Sequence, residues 1–323
     1  MKIVFIHQGP HPVHAAFAET ITDKWEFYGD NRKSIIKILF SSIIKDKYRA
    51  DVVFSEGGLG LPLAILKKIK NPRAKIILLN ADAFFYLISR SIFPKKLLMK
   101  FLLSFVDHII TVSKMNKRLA SKYFKSRDIK VVHPFGVNVN FDISCPLDTS
   151  NILFIGSHRA DKRFDNLVEA VKILNDDNGN FQLYLIGSCC DIIEEKHDWL
   201  HKIGFTKHPE KYFSRCSFYV HPADFEPFPV SVLEAMSAGI IPIVTENTGQ
   251  SEVFREHGLD FLILKDNKPK TIAEKIMRVY NRPLHWKRKI SRKCKDISRR
   301  FSKESQVKEF KEVFNKTLEE LGL

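Results

Sequence analysis

Two carboxylates, Glu226 and Glu234, stand with seven residues between them in the stretch His-Pro-Ala-Asp-Phe-Glu-Pro-Phe-Pro-Val-Ser-Val-Leu-Glu-Ala-Met-Ser-Ala-Gly over 221–239. Pro229 suits the first turn of a helix, where its missing N–H has no partner to lose. Gly239 suits the left-handed position that ends one. Glu226 is therefore expected in the loop before a helix and Glu234 within it. Val230, Leu233, Glu234 and Ser237 recur at helical spacing, which puts Glu234 on a face shared with apolar side chains. A carboxylate there needs a partner, and a ligand hydroxyl would serve as well as a protein donor. Spacing alone equally allows an acid favoured by the helix dipole plus a salt-bridged glutamate. Upstream, Arg159 and Lys162 fall in a loop between a strand and a helix, where cations, amides and dipole together favour phosphate. A solvated loop is the other reading of Asp-Lys-Arg.

Other chemistry is scarce. Twelve histidines form no H-E-x-x-H cluster, and no two aspartates have D-x-D spacing, so no metal site is expected. Five cysteines, an odd number without C-x-x-C, argue against a disulfide framework or zinc site and for a reducing cytoplasm. The loop from Gly9 through His11 to His14 follows the first apolar run. Glu56-Gly-Gly-Leu-Gly60 lacks the third glycine of a dinucleotide fingerprint, so it reads as a tight turn or as a loop lining a ligand site.

The elements that must hold these residues alternate along the chain. Short apolar runs at 2–7, 52–55, 75–79 and 108–112 read as buried strands, with helical spacing at 33–47 and 95–106. A polar, Pro-containing break at 141–150 follows. The pattern then restarts at 151–155, 182–186, 218–221, 241–244 and 261–264. Unbroken apolar strands alternating with helices predict parallel sheets covered on both faces. Two such series predict an α/β chain of two doubly wound Rossmann-like domains facing a cleft, at 1–145 and 146–300. Ligands in that architecture sit at the C-terminal ends of the strands.

Composition excludes a disordered or fibrous chain: 44% of the 323 residues are hydrophobic and 28% charged. No apolar run reaches the ~18–20 residues of a spanning helix, and the N-terminus reads as a first strand rather than a signal peptide. The net charge of +15 is uneven: residues 1–150 carry 24 basic and 12 acidic side chains, hence +12. An anionic partner follows, whether nucleic acid, acidic membrane or phosphorylated ligand. In 95–105, Leu97, Leu98, Phe101, Leu102 and Phe105 share a face opposite Lys96 and Lys100; 32–47 is similar. Either helix packs on a sheet with a solvated basic side or lies on anionic lipid. A further basic cluster runs from Trp286 to Arg300.

The 221–239 stretch closely resembles the E-x7-E signature of retaining glycosyltransferases of family 4, which have the GT-B fold. Phe154-Ile-Gly-Ser-His-Arg-Ala-Asp-Lys-Arg-Phe-Asp-Asn-Leu, Leu185-Ile-Gly, Ile203-Gly-Phe-Thr and Thr248-Gly-Gln-Ser-Glu252 are similar to its other segments in order. So are Asp107-His-Ile-Ile-Thr-Val-Ser113 and His133-Pro-Phe-Gly-Val-Asn138. The resemblance implies a C-terminal helix (301–323) crossing back to the first domain. It implies that Lys162 and Arg159 bind the donor diphosphate, Glu226 the transferred sugar and Glu234 the ribose. Gly9, Gly156, Phe205, Thr206, Phe228, Pro229 and Val230 would line the donor site, Phe205 and Thr206 beside the base. Ser157 stands where the family has Arg after the glycine, and Asn80-Ala-Asp82 where many relatives have His-Asp. The implied function is metal-independent retaining transfer of a sugar from a UDP- or GDP-linked donor, without further cofactor, to a glycan or lipid-linked acceptor. The expected setting is cytoplasmic, peripheral at the inner membrane face. A catalytically weakened relative is the alternative, and a basic nucleic-acid-binding protein a distant one, since no recognised nucleic-acid module is present.

Overall fold

The computed structural model describes residues 1–7, 9–27, 49–139, 141–177 and 179–323. The amphipathic segment expected at 32–47 lies outside the described residues. The chain divides into two compact units, Met1–Pro134 with Lys303–Leu323, and Phe135–Ser302.

In the first unit, β1 (Ile3–His7), β2 (Trp25–Phe27), β3 (Val52–Glu56), β4 (Lys75–Asn80), β5 (His108–Thr111) and β6 (Ile129–Val131) form one parallel sheet, ordered β2-β1-β3-β4-β5-β6. The central strands are apolar on both faces because helices cover both. Chain direction across the sheet reverses between β1 and β3. The loops after those strands therefore diverge and leave a crevice where ligands bind in such folds. Helix Lys303–Glu320 belongs to this unit. Its Phe310 stacks on Phe17 at 4.6 Å and, with Phe314, packs on Phe54 of β3. Glu26 on the short β2 is buried and holds Lys67 at 2.8 Å.

The helix expected at 95–106 spans Phe93–Leu103, and only its Met99 and Leu103 are buried. Of the apolar face named above, Leu97, Leu98 and Phe101 are exposed, at 59, 42 and 60%, whereas Leu102 and Phe105 pack against the core; Phe93, at the helix start, is 77% exposed. The 3.6-residue period was legible, but the burying face is rotated toward Met99.

The second unit repeats the plan with β7 (Asn151–Ile155), β8 (Gln182–Ile186), β9 (Leu200–Gly204), β10 (Phe218–His221), β11 (Ile241–Thr245) and β12 (Ile263–Leu264), ordered β12-β11-β10-β7-β8-β9 and parallel throughout. Its direction reverses between β7 and β10. The unit begins at Phe135 rather than at 146 because the segment after Pro134 packs against the helix Val230–Ala238. A Cβ at Gly136 would lie in van der Waals contact with Leu233 and Glu234, and the Asn138 N–H donates to Glu234 Oε1 at 2.8 Å. Among the described residues, no helix is long and apolar enough to cross a membrane.

Candidate active site

The loops leaving β7 and β10, the two strands flanking the reversal in the second sheet, carry most of the expected site residues. The first loop opens with Gly156, whose amide donates to Ile186 O at 2.9 Å. Gly187, at φ +104°, lies against the Gly156 carbonyl, where any Cβ would strike it. The two strand ends can approach only because residue 187 has no side chain, while the place of a Gly156 side chain is taken by the Phe154 ring. The loop then makes a single 3₁₀ turn, Ala160–Lys162, and enters helix Phe164–Asp176 through Arg163. Among the described residues Arg163 is the one non-glycine with positive φ, 51°. A side chain there costs energy unless its surroundings fix it. Arg163 Nε donates to Asp224 Oδ2 at 2.9 Å, Asn267 Nδ2 donates to Asp224 Oδ1 at 2.8 Å, and the Asp224 amide donates to Asp161 O at 2.8 Å. The sequence reading missed Arg163 and Asp224; Arg163 is in the same Asp-Lys-Arg loop as Lys162.

These ties bring the Lys162 ammonium onto Glu226 Oε2. Both side chains are mostly buried, at 11 and 14% exposure, so the charges are poorly hydrated and need one another. The Glu226 backbone is strapped in place as well. Its amide donates to Asn247 O at 3.0 Å, and its carbonyl accepts from the Gly249 amide at 2.9 Å. Gly249 has no room for a Cβ beside Pro227 O. Arg159, half-exposed, is paired with Asp161 of its own loop, with Nε 3.0 Å from Oδ1.

After Glu226, Phe228 is buried with its ring 5.6 Å from Phe301, and Pro229, expected in the first turn, is the extended N-cap residue just before the helix Val230–Ala238. No side chain caps that helix, and Ser231 Oγ is taken by Tyr219 OH at 2.7 Å. Its positive end therefore directly follows the loop that carries Glu226, and its first-turn amides suit an anion. Glu234, one turn in, is 6% exposed. Burial holds its carboxyl above the ordinary range, a rise opposed by hydrogen bonds from Asn138 and Val137. Asn138 was visible only as part of His-Pro-Phe-Gly-Val-Asn and had no assigned role.

Phe205 and Thr206 follow β9 at the edge of the sheet. Phe205 is 85% exposed, and Thr206 Oγ1 accepts from the His208 amide at 3.1 Å. Gly9 belongs to the first unit, at φ +94°, with its amide on His7 Nδ1 at 3.1 Å. Near it, at the ends of β1 and β3, His14 Nδ1 lies 2.5 Å from Glu56 Oε1. Burial, then the neighbouring His14, lowers the His11 pKa to about 4. Asp82 accepts from Asn80 Nδ2 and from the Phe84 amide.

The sequence matches the profile of the family described as glycosyl transferases group 1 over residues 141–303. An uncharacterized glycosyltransferase of Methanocaldococcus jannaschii is 26% identical over 239 residues, covering 66% of this chain and 61% of that protein. An exopolysaccharide phosphotransferase of Streptomyces coelicolor is 27% identical over 164 residues, 48% of this chain and 17% of that protein. The chain thus spans less than two thirds of the length of these relatives. The crystal structure of Anabaena HepE in complex with UDP and glucose has the same fold, with a TM-score of 0.77 at 15% identity over 98% of this chain and 99% of that one.

Glu234 makes stability depend on pH in a defined direction. Below its ordinary value of 4.5 the carboxyl is neutral in folded and unfolded chain alike. As pH rises through the raised folded value, the native state must ionise a buried group that the unfolded chain ionises freely, so stability is lost. Glu234→Gln keeps an oxygen for the Asn138 amide without that charge. Thermal unfolding of the ligand-free variant is expected to show a higher midpoint than the parent at about pH 8 and no gain near pH 4. A lower midpoint at both would contradict the assignment.

Proposed function

The chain belongs to the family of glycosyl transferases group 1, and on that premise we propose that it is a metal-independent, retaining glycosyltransferase using a UDP- or GDP-linked sugar. The observation that carries this reading is the Lys162–Glu226 pair at the strand reversal, beside an uncapped helix end. Breaking an anomeric C–O bond loads charge onto a departing diphosphate, and fixed cations and amides lower that barrier. Lys162, with Arg159 and the amides at Phe228 and Val230, supplies that field. Glu226, freed from Lys162, accepts from hydroxyls of the transferred sugar, and Glu234 accepts from the ribose. Phe205 and Thr206 border the base, and Gly156 lets backbone approach the donor. Displacement occurs from the front face: the leaving phosphate oxygen takes the acceptor proton as the acceptor oxygen bonds to the anomeric carbon. UDP and glucose in HepE support a nucleotide-sugar donor, and the exopolysaccharide relative supports a glycan acceptor.

The acceptor is proposed to be lipid-linked, with the protein peripheral at the cytoplasmic membrane face. Ile92, Phe93, Leu97 and Phe101 present large apolar side chains to solvent, with Lys95 and Lys100 exposed beside them. Such a face fits an anionic bilayer surface: rings enter the headgroup layer and each lysine adds about 1 kcal/mol.

Two measurements follow. UDP or GDP should raise the thermal midpoint saturably, and the matching nucleotide sugar should be slowly hydrolysed. Lys162→Ala should weaken nucleotide binding by roughly tenfold or more. Nucleotide binding without any hydrolysis would favour the weakened relative, and salt-sensitive DNA binding without a nucleotide effect would favour the nucleic-acid reading. In flotation, the protein should rise with vesicles containing phosphatidylglycerol and not with phosphatidylcholine alone, and Phe93→Ser/Phe101→Ser should abolish it. Equal recovery on both vesicles would sink the membrane assignment.

A further inference from the structure

His221 closes β10 beneath the site with a side chain 1% exposed, and neither of its ring nitrogens has a hydrogen-bond partner. Its ring is stacked with that of Phe154, at 5.8 Å, and with that of Tyr219, at 6.2 Å. Nε2 lies 4.0 Å from Glu226 Oε2, the same oxygen that holds the Lys162 ammonium. Burial, and then the positive charges of Lys162 and Arg159, holds the imidazole well below its ordinary pKa, hence neutral. A neutral imidazole carries one N–H donor, and a buried donor left without an acceptor is costly and rare.

We infer that His221 is the positioning residue that takes Glu226 from Lys162 when a nucleotide diphosphate binds. This rests on the donor site proposed above. The diphosphate draws the ammonium away, and Glu226 Oε2 loses its cation inside a largely dry pocket. A shift of about 1 Å brings the carboxylate within hydrogen-bond distance of Nε2–H. The hand-over keeps Glu226 ionised and fixed, with its other oxygen available to the sugar. His221 itself neither touches the donor nor exchanges a proton.

The test uses the full chain labelled with ¹⁵N-histidine and titrated with whichever of UDP or GDP shifts the thermal midpoint. Binding should move the His221 Nε2–H proton downfield and slow its exchange with solvent. Glu226→Ala should remove that response while leaving other histidines unaffected. His221→Phe, which keeps the stacked ring, should weaken nucleotide binding roughly tenfold, and His221→Gln should recover most of it. In a Glu226→Ala background the His221→Phe loss should vanish, whereas a packing defect would persist there. Absence of nucleotide binding to the parent protein would count against the donor site itself. Binding with an unmoved His221 signal, or an equal His221→Phe loss in both backgrounds, would overturn the hand-over. The wild-type titration needs no substituted protein to fold.

Discussion

A lysine ammonium held by a glutamate where the second sheet reverses direction is the interaction on which the site depends. Two mostly buried charges are tolerated only as a pair, so the loops that carry them must be held firmly in place. The structure meets that demand with backbone and side-chain ties that involve neither charge. Asp224 receives Arg163 and Asn267, its amide reaches Asp161, and the 247–249 turn clasps Glu226 on both sides. Arg163 accepts a left-handed backbone as part of the same arrangement.

The glycines matter for the same reason. Gly187 and Gly249 stand where backbone from a neighbouring strand or loop occupies the space of a side chain, and Gly156 where the Phe154 ring does. Each lets a strand end or turn come close enough for the loops above it to converge. Glu234 is buried one turn into its helix with a protein donor on one oxygen. An acid kept above its ordinary pKa destabilises the free protein, and a ligand hydroxyl is the kind of partner that offsets it.

Much of this was legible in the sequence. The strand series, the doubly wound class and the positions of Lys162, Glu226 and Glu234 follow from apolar runs, Pro229 and Gly239, and the ordered motifs. What could not be read depended on contacts remote in sequence. Asp224 sits in the quoted stretch, yet its importance arises from Arg163, 61 positions away. Asn138 meets Glu234 across 96 positions, which is also why the second unit begins earlier than the polar break suggested. His221 reads as the end of a strand, and only its unpartnered nitrogens mark it out. The helix Phe93–Leu103 shows the converse: its period was plain, but which side of it is buried depends on the sheet it rests on.

The central claim is that Lys162 is held by Glu226 in the ligand-free protein and released to the donor diphosphate. Calorimetric titration of UDP or GDP into Glu226→Gln, set beside turnover of the matching nucleotide sugar, tests it most directly. Removing the competing charge should tighten nucleotide binding several-fold, while turnover falls by roughly a hundredfold. Weaker nucleotide binding in the variant, or turnover at the parental rate, would contradict the account.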